Sequence, residues 1–221
     1  MKEIRRRTKL WWRIRPISQE WKAYVESHLA PRCVDLKRRF PAITANHITL
    51  FRMLPAALGF WLFITRGASS DAPLYLYLTA ALMDFADGAW ARANNETSTT
   101  GKIIDPAVDK CTVVPYLFAG AHFGLLSLPM VLLILCAEIA STAAYVAHIT
   151  RIQRVDGANW WGGSKKVLQD TLIVFMLGFP THTLWVVFNT ILGISGILSV
   201  MSCHTKLRHL VKQSGRAQSS A

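Results

Sequence analysis

Four of the chain's carboxylates fall within one 26-residue segment, at Asp84, Asp87, Asp105 and Asp109. Asp84 and Asp87 are three residues apart, so a helix puts both on one face. Gly88, Ala91 and Arg92 continue that face, and the first two are small enough for a ligand to approach the backbone closely. After a polar stretch, Gly101 precedes Asp105 and Asp109, which are four residues apart and share a face of the next helix. Pro106 suits a first-turn position in that helix. Two consecutive antiparallel helices would therefore each present two carboxylates at the cytoplasmic end of the bundle. Four unpaired carboxylates at that range repel one another and resist full ionisation. A divalent cation removes the conflict, and an all-oxygen set favours Mg²⁺, Mn²⁺ or Ca²⁺ over Zn²⁺. Two such ions bridged by carboxylates can clamp a pyrophosphate and stabilise the charge that develops as it breaks. The same residues also admit a structural polar cluster, or a cation path through a channel or transporter.

The elements that must hold these residues are apolar. Of 221 residues, 52% are hydrophobic and 17% charged, and mean hydropathy is +0.27; soluble domains carry roughly 25% charged residues. The formal net charge is nevertheless +12. Residues 1–46 hold twelve Lys and Arg against four acids, the tail after Ser202 holds four basic residues and no acid, and the middle is neutral. A cytosolic enzyme, a disordered chain and a disulfide-rich secreted domain fit poorly, whereas a membrane domain with basic ends fits. Cys33, Cys111, Cys136 and Cys203 are too scattered for a disulfide framework or a zinc site. The basic N-terminus has no early apolar core, so no signal peptide is expected.

Six apolar runs approach the ~20-residue spanning length, at 48–65, 73–92, 106–123, 128–150, 167–180 and 182–203. The fifth is short and is expected to extend back through Lys165 and Lys166. The positive-inside rule places loops 93–105 and 151–166 and both termini in the cytoplasm, because the opposite loops hold Arg66 as their one Lys or Arg. The expected layout is an all-α integral membrane protein. It has a basic N-terminal segment (1–46), a six-helix membrane domain (47–203) and a basic tail (204–221). Ile14, Ile17, Trp21, Tyr24, Val25, His28 and Leu29 recur at three- and four-residue steps before Pro31, which predicts an amphipathic helix lying in the interface. Anionic lipid would attract it at about 1 kcal/mol per basic residue. A nucleic-acid-binding arm is the poorer reading, since no soluble domain would present it.

The pattern D-x2-D-G-x2-A-R-x8-G-x3-D-x3-D, complete from Asp84 to Asp109, resembles the signature of the CDP-alcohol phosphotransferase family. That resemblance implies transfer of a phosphatidyl group from CDP-diacylglycerol to a hydroxyl, with release of CMP. It implies two divalent cations, Mg²⁺ or Mn²⁺, on Asp84, Asp87, Asp105 and Asp109, with Asp109 also the candidate general base. It further implies that Gly88, Ala91, Arg92 and Gly101 take the nucleotide, that the enzyme is a homodimer, and that its active site faces the cytoplasm (from the cell inner membrane, if the source is bacterial). TANHITLFR (44–52) resembles the start of the family's first span, making Asn46, Thr49 and Arg52 candidate nucleotide or phosphate contacts. A capped helix start with a snorkelling Arg is the plain alternative.

For the acceptor, GKIIDPAVDK (101–110) is similar to the form found in phosphatidylglycerophosphate synthases and their cardiolipin-synthase relatives. GGSKKVLQDTL (162–172) resembles the fifth span of that subgroup in Gly162, Lys165 and Gln169, with Lys166 departing from the usual Thr. Arg151, Arg154, Lys165 and Lys166 cluster where a phosphorylated acceptor such as sn-glycerol 3-phosphate would need cations; topology alone also accounts for them. Glu138 either holds one of these cations or contacts a neighbouring helix. Phosphatidylglycerol, inositol phosphate and serine are the alternative acceptors. Replacing Asp105 or Asp109 with Asn is expected to abolish CMP release while the protein still inserts, and activity retained in either variant would remove the metal-site assignment.

Overall fold

A computed structural model of the chain describes residue 28 and residues 30–67, 70–96, 99–152 and 160–218. Most of the expected interfacial helix before Pro31 lies outside the described residues, as does Arg154. Residues 30–39 are helical (α1), so helical structure continues beyond Pro31.

The remaining helices are α2 (Ala45–Phe51), α3 (Met53–Arg66), α4 (Ala72–Ala93), α5 (Thr99–His122), α6 (Leu128–Ile152), α7 (Trp160–Gly178) and α8 (Trp185–Gln218). A single 3₁₀ turn, His182–Leu184, leads into α8. No strand occurs among the described residues. Each of the six apolar runs is helical, with ends shifted for identifiable reasons. The first is divided at Arg52, because Pro55 cannot donate to the carbonyl of Phe51 four residues back. The third begins at Thr99, so Pro106 lies inside α5 and not in its first turn. Trp160 opens α7, which carries Lys165 and Lys166 in helix as the sequence predicts.

Two helical stretches, Ala45–Arg66 and His182–Thr205, are long and apolar enough to cross a membrane by that measure alone. α4, α5 and α7 fall short because they carry the ionisable residues of the site. Large apolar side chains are exposed on the outside of the bundle, among them Trp61, Leu133, Val186 and Ile197. Such a surface suits lipid better than water.

Helix α5 is the hub. It packs against α2, α3, α6 and α7, while α6 and α7 both pack on α8, and α4 joins α3 to α7. Tyr116 of α5 sits at the centre of the core with Tyr77 and Phe60 edge-on, at centroid distances of 4.9 and 5.8 Å. Its buried hydroxyl donates to the carbonyl oxygen of Ala56 at 2.9 Å, which meets the need of a buried polar group for a partner. Gly59 makes this possible: a Cβ there would lie 2.5 Å from the Tyr116 hydroxyl. The missing side chain brings α3 onto α5.

Glu96, in the turn after α4, closes the bundle on the side of α1. It pairs with Lys37 of α1 and accepts from the Ala45 amide at the start of α2 at 3.0 Å, while Lys37 also donates to the carbonyl oxygen of Ile43 at 2.7 Å. One carboxylate thus meets an otherwise unpaired amide of a helix first turn. Burial by itself raises the Glu96 pKa, but the bonds from Lys37 and the Ala45 amide outweigh it and hold the carboxyl below the ordinary value. A group depressed on folding stabilises above its unfolded pKa and loses that contribution as pH falls through the folded one. Protection of 30–45 from proteolysis should therefore be unchanged from pH 8 to about 5 and fall below about pH 4, the ordinary Glu range. Glu96→Gln should show the reduced protection already at pH 7, and equal protection in both proteins would refute the tie.

Candidate active site

The sharing of faces that the sequence predicts is realised, and α2 completes it. The Thr49 Oγ1 lies 2.8 Å from Asp87 Oδ2 and 3.2 Å from Asp105 Oδ1, joining α4 to α5 through one hydroxyl. One turn further on, the Arg52 guanidinium is 2% exposed. Its Nη1 contacts Asp84 and lies 3.9 Å from Asp87, and its Nη2 donates to Asp109 at 2.6 Å. Lys166 of α7 reaches the same two carboxylates, contacting Asp84 and donating to Asp109 Oδ1 at 2.7 Å. Arg52 and Lys166 thus bridge Asp84 and Asp109, while Thr49 bridges Asp87 and Asp105.

Thr49 and Arg52 are three residues apart and share a face of the helix, so both are set against the carboxylates. Asn46, in the first turn of α2, is half-buried. Arg92 folds back along α4, its Nη1 3.4 Å from where a Cβ on Gly88 would stand, so these two candidate nucleotide residues adjoin. Ala91 is partly buried in the same helix, and Gly101 is buried in the first turn of α5.

The expected basic cluster divides. Lys165 turns from the carboxylates and donates to both oxygens of Glu138 of α6, at 2.6 and 2.8 Å. Of the two roles expected for Glu138, the structure shows it holding a cation. Adjacent residues on a helix point about 100° apart, so the neighbours serve different partners. Arg151 lies in the last turn of α6, its side chain outside the description.

Sequence reasoning missed four participants, Lys110, Tyr77, Asp170 and Glu96. Lys110 is 3.6 Å from Glu138 Oε2 and also donates to Thr142. Tyr77 donates to Asp170 at 2.7 Å, a fifth carboxylate one turn beyond Lys166. Glu96 had no visible partner in the sequence. The available signal was the pairing of ionisable residues on apolar helices, since each buried charge demands a partner.

Beside Asp109 lies a cavity of about 190 Å³ between α5, α6 and α7, with Lys110, Glu138, Lys165, Lys166 and Gln169 at its polar end and Val113, Leu117, Val131 and Ile134 at its apolar end.

Among the described residues, no three carboxylate, imidazole or thiol groups converge on one ion position. Arg52 and Lys166 stand between the acids instead. The donor chemistry nonetheless fits a hard cation: four carboxylates face two basic groups, leaving the cluster negative. Asp84 and Asp109 are about 30% exposed, at 29% and 30%, which leaves that side open.

A sequence profile of the CDP-alcohol phosphatidyltransferase family matches residues 42–201; the chain belongs to that family. A probable phosphatidylglycerophosphate synthase of Mycobacterium tuberculosis is 32% identical over 151 residues, 65% of this chain and 71% of that protein. A CDP-diacylglycerol–glycerol-3-phosphate 3-phosphatidyltransferase of Mycoplasma genitalium is 30% identical over 102 residues, 46% of this chain and 42% of the relative. A CDP-diacylglycerol–inositol 3-phosphatidyltransferase of Drosophila melanogaster is 33% identical over 78 residues, 35% of this chain and 34% of the relative. The match thus spans well under half the length of these last two relatives. The crystal structure of M. tuberculosis phosphatidylinositol phosphate synthase with CDP-DAG bound shares the fold, with a TM-score of 0.59 at 17% identity over 82% of this chain and 92% of that one.

Arg52 is the one basic group here that is both nearly inaccessible and shared by the carboxylates. Arg52→Met should destabilise the protein by about 3–5 kcal/mol, the usual cost of leaving buried charge unpaired. Arg52→Lys should recover only part of this, because a point charge replaces the two-armed fork. Thermal unfolding in detergent checks both, and an unchanged Arg52→Met protein would show that Lys166 alone compensates the cluster.

Proposed function

We propose that the protein transfers the phosphatidyl group of CDP-diacylglycerol to sn-glycerol 3-phosphate, forming phosphatidylglycerophosphate and releasing CMP. The observation that carries this reading is the meeting of the α4 and α5 carboxylates beside a cavity walled by lysines. The first arrangement suits breakage of a pyrophosphate and the second an anionic acceptor. Relatives named for glycerol 3-phosphate or phosphatidylglycerophosphate support the acceptor, as does Pro106 after the third Asp of the motif.

In this reading Gly88, Ala91 and Gly101 leave room for the nucleotide along α4 and α5, and Arg92, Asn46 and Thr49 offer polar contacts around it. Arg52 and Thr49 hold the four carboxylates in place. Two divalent cations, Mg²⁺ or Mn²⁺, would be held by Asp84, Asp87, Asp105 and Asp109 and would supply charge stabilisation to the pyrophosphate. Asp109, at the cavity wall, takes the proton of the acceptor hydroxyl. That oxygen bonds to the phosphorus bearing diacylglycerol, and the bond from phosphorus to the CMP oxygen breaks, its electron pair leaving with CMP. Lys166 of α7, with Arg151 in the last turn of α6 and Arg154 three positions further along the sequence, attracts the acceptor phosphate.

The enzyme is read as a six-span homodimer with both termini and the active site in the cytoplasm. Its donor is a lipid, so the site opens laterally to the bilayer. Inositol is the second acceptor, favoured by the name of the Drosophila relative.

Purified protein with CDP-diacylglycerol and Mg²⁺ should release CMP in proportion to added glycerol 3-phosphate and stop on chelation with EDTA. Restored Mg²⁺ or Mn²⁺ should recover the rate. Release that requires inositol instead would move the acceptor assignment, and cation flux in liposomes without CMP release would replace the enzyme reading by a channel.

A further inference from the structure

The Arg52 guanidinium can donate from three nitrogens, and the carboxylate cluster accounts for two of them. Nη1 contacts Asp84 and Nη2 donates to Asp109, whereas Nε has no hydrogen-bond partner among the described residues, although the side chain is only 2% exposed. A buried donor on a charged group is costly to leave unmet. Arg52 also lines a small cavity of about 20 Å³ on the α4 side of the cluster, together with Tyr77, Asp84, Asp109, Lys166 and Asp170. Asp170 stands on the wall of this cavity, one helical turn beyond Lys166. It accepts from the Tyr77 hydroxyl at 2.7 Å and makes no ion pair with Arg52 or Lys166 among the described residues. Tyr77 is fully buried and packs edge-on against Tyr116, so Asp170 is tied through it to the aromatic core.

The chemistry of the lining selects the occupant. One water needs about 10–15 Å³ of such space, so the cavity has room for a single small molecule and for no substrate. A metal ion there would face a guanidinium and an ammonium, and an anion would face three carboxylates. Water accepts from one side and donates to the other, and these walls offer it the two to four polar partners that a buried water requires.

We propose that one buried water fills this cavity, accepting from Arg52 Nε and donating to Asp170, and that Asp170 and Tyr77 are thereby positioning residues for the guanidinium. With its third nitrogen secured, the planar fork cannot swing, and Asp84 and Asp109 stay where the other two nitrogens hold them. The water stands on the geometry alone; its consequence for metal binding and turnover rests on the function proposed above.

The test uses the full chain in detergent, followed by thermal unfolding, by Mn²⁺ titration without substrate, and by CMP release. Asp170→Asn should lower Tm by roughly 3–12 °C, the shift for losing a hydrogen bond to a charged group in a chain of this size. Arg52→Lys has no Nε donor, so Asp170→Asn should cost little more in that background. Tyr77→Phe keeps the ring and every charge and removes only the anchor of Asp170. It should weaken Mn²⁺ binding about tenfold, as loss of an outer-shell partner does, and lower kcat with both KM values unchanged. A crystal structure should show one density peak within hydrogen-bond distance of Arg52 Nε and an Asp170 oxygen. Additive Tm losses for Asp170→Asn and Arg52→Lys, or a direct contact between the two wild-type side chains, would overturn the water. A lower Tm with unaltered Mn²⁺ affinity in Tyr77→Phe would overturn the positioning role and leave the pair to packing. Wild-type protein that neither binds Mn²⁺ nor releases CMP would overturn the proposed function, while non-additive Tm losses would still uphold the water.

Discussion

Four carboxylates brought together from α4 and α5 repel one another, and water reaches only the open side of the cluster, with Asp84 and Asp109 29% and 30% exposed. Everything near this end of the molecule answers that constraint. Arg52 enters from the break between α2 and α3, Lys166 enters from an α7 that extends past its apolar stretch, and Thr49 supplies a hydroxyl to the pair that neither cation bridges. Three separate elements thus converge on a requirement set by α4 and α5. Attraction between opposite charges grows as the local dielectric falls, so the cluster also holds these helices at one end. The aromatic core around Tyr116 holds the middle of the bundle.

A second polar centre repeats the solution with the signs exchanged. At Glu138, one carboxylate is shared by lysines, and a serine from α8 adds its hydroxyl. The two centres meet at α7, whose adjacent lysines divide between them. Chemistry and packing are therefore not separable here, because the residues that meet the acidic cluster also fasten the helices. This is consistent with the rule that ionisable groups within a membrane domain are retained for a purpose.

Much of this was legible in the sequence, because the signals were local. Carboxylates three or four residues apart must share a helix face, and the six apolar runs all became helices. What the sequence could not carry was pairing at long range. Thr49 and Arg52 read equally well as a capped, snorkelling helix start, and only their contacts with carboxylates 32 to 57 residues away show otherwise. Lys165 and Lys166 read as one basic patch, since a patch in sequence does not reveal that consecutive side chains diverge around a helix. The first-turn expectation for Pro106 failed because its own spacing gave no account of the turn of helix built by Thr99, Thr100 and Gly101.

The divergence of those two lysines gives α7 an angular identity. A smooth apolar helix can spin on its axis and exchange one greasy face for another at little cost. This one cannot, because a rotation of a single residue step would pull Lys166 from the aspartates and Lys165 from Glu138 together. Turned in either direction, it is opposed by both pairs at once. Any movement of α7 that admits or releases a ligand is thereby confined to tilting or sliding along its length, with its azimuth locked like a key in a two-warded lock.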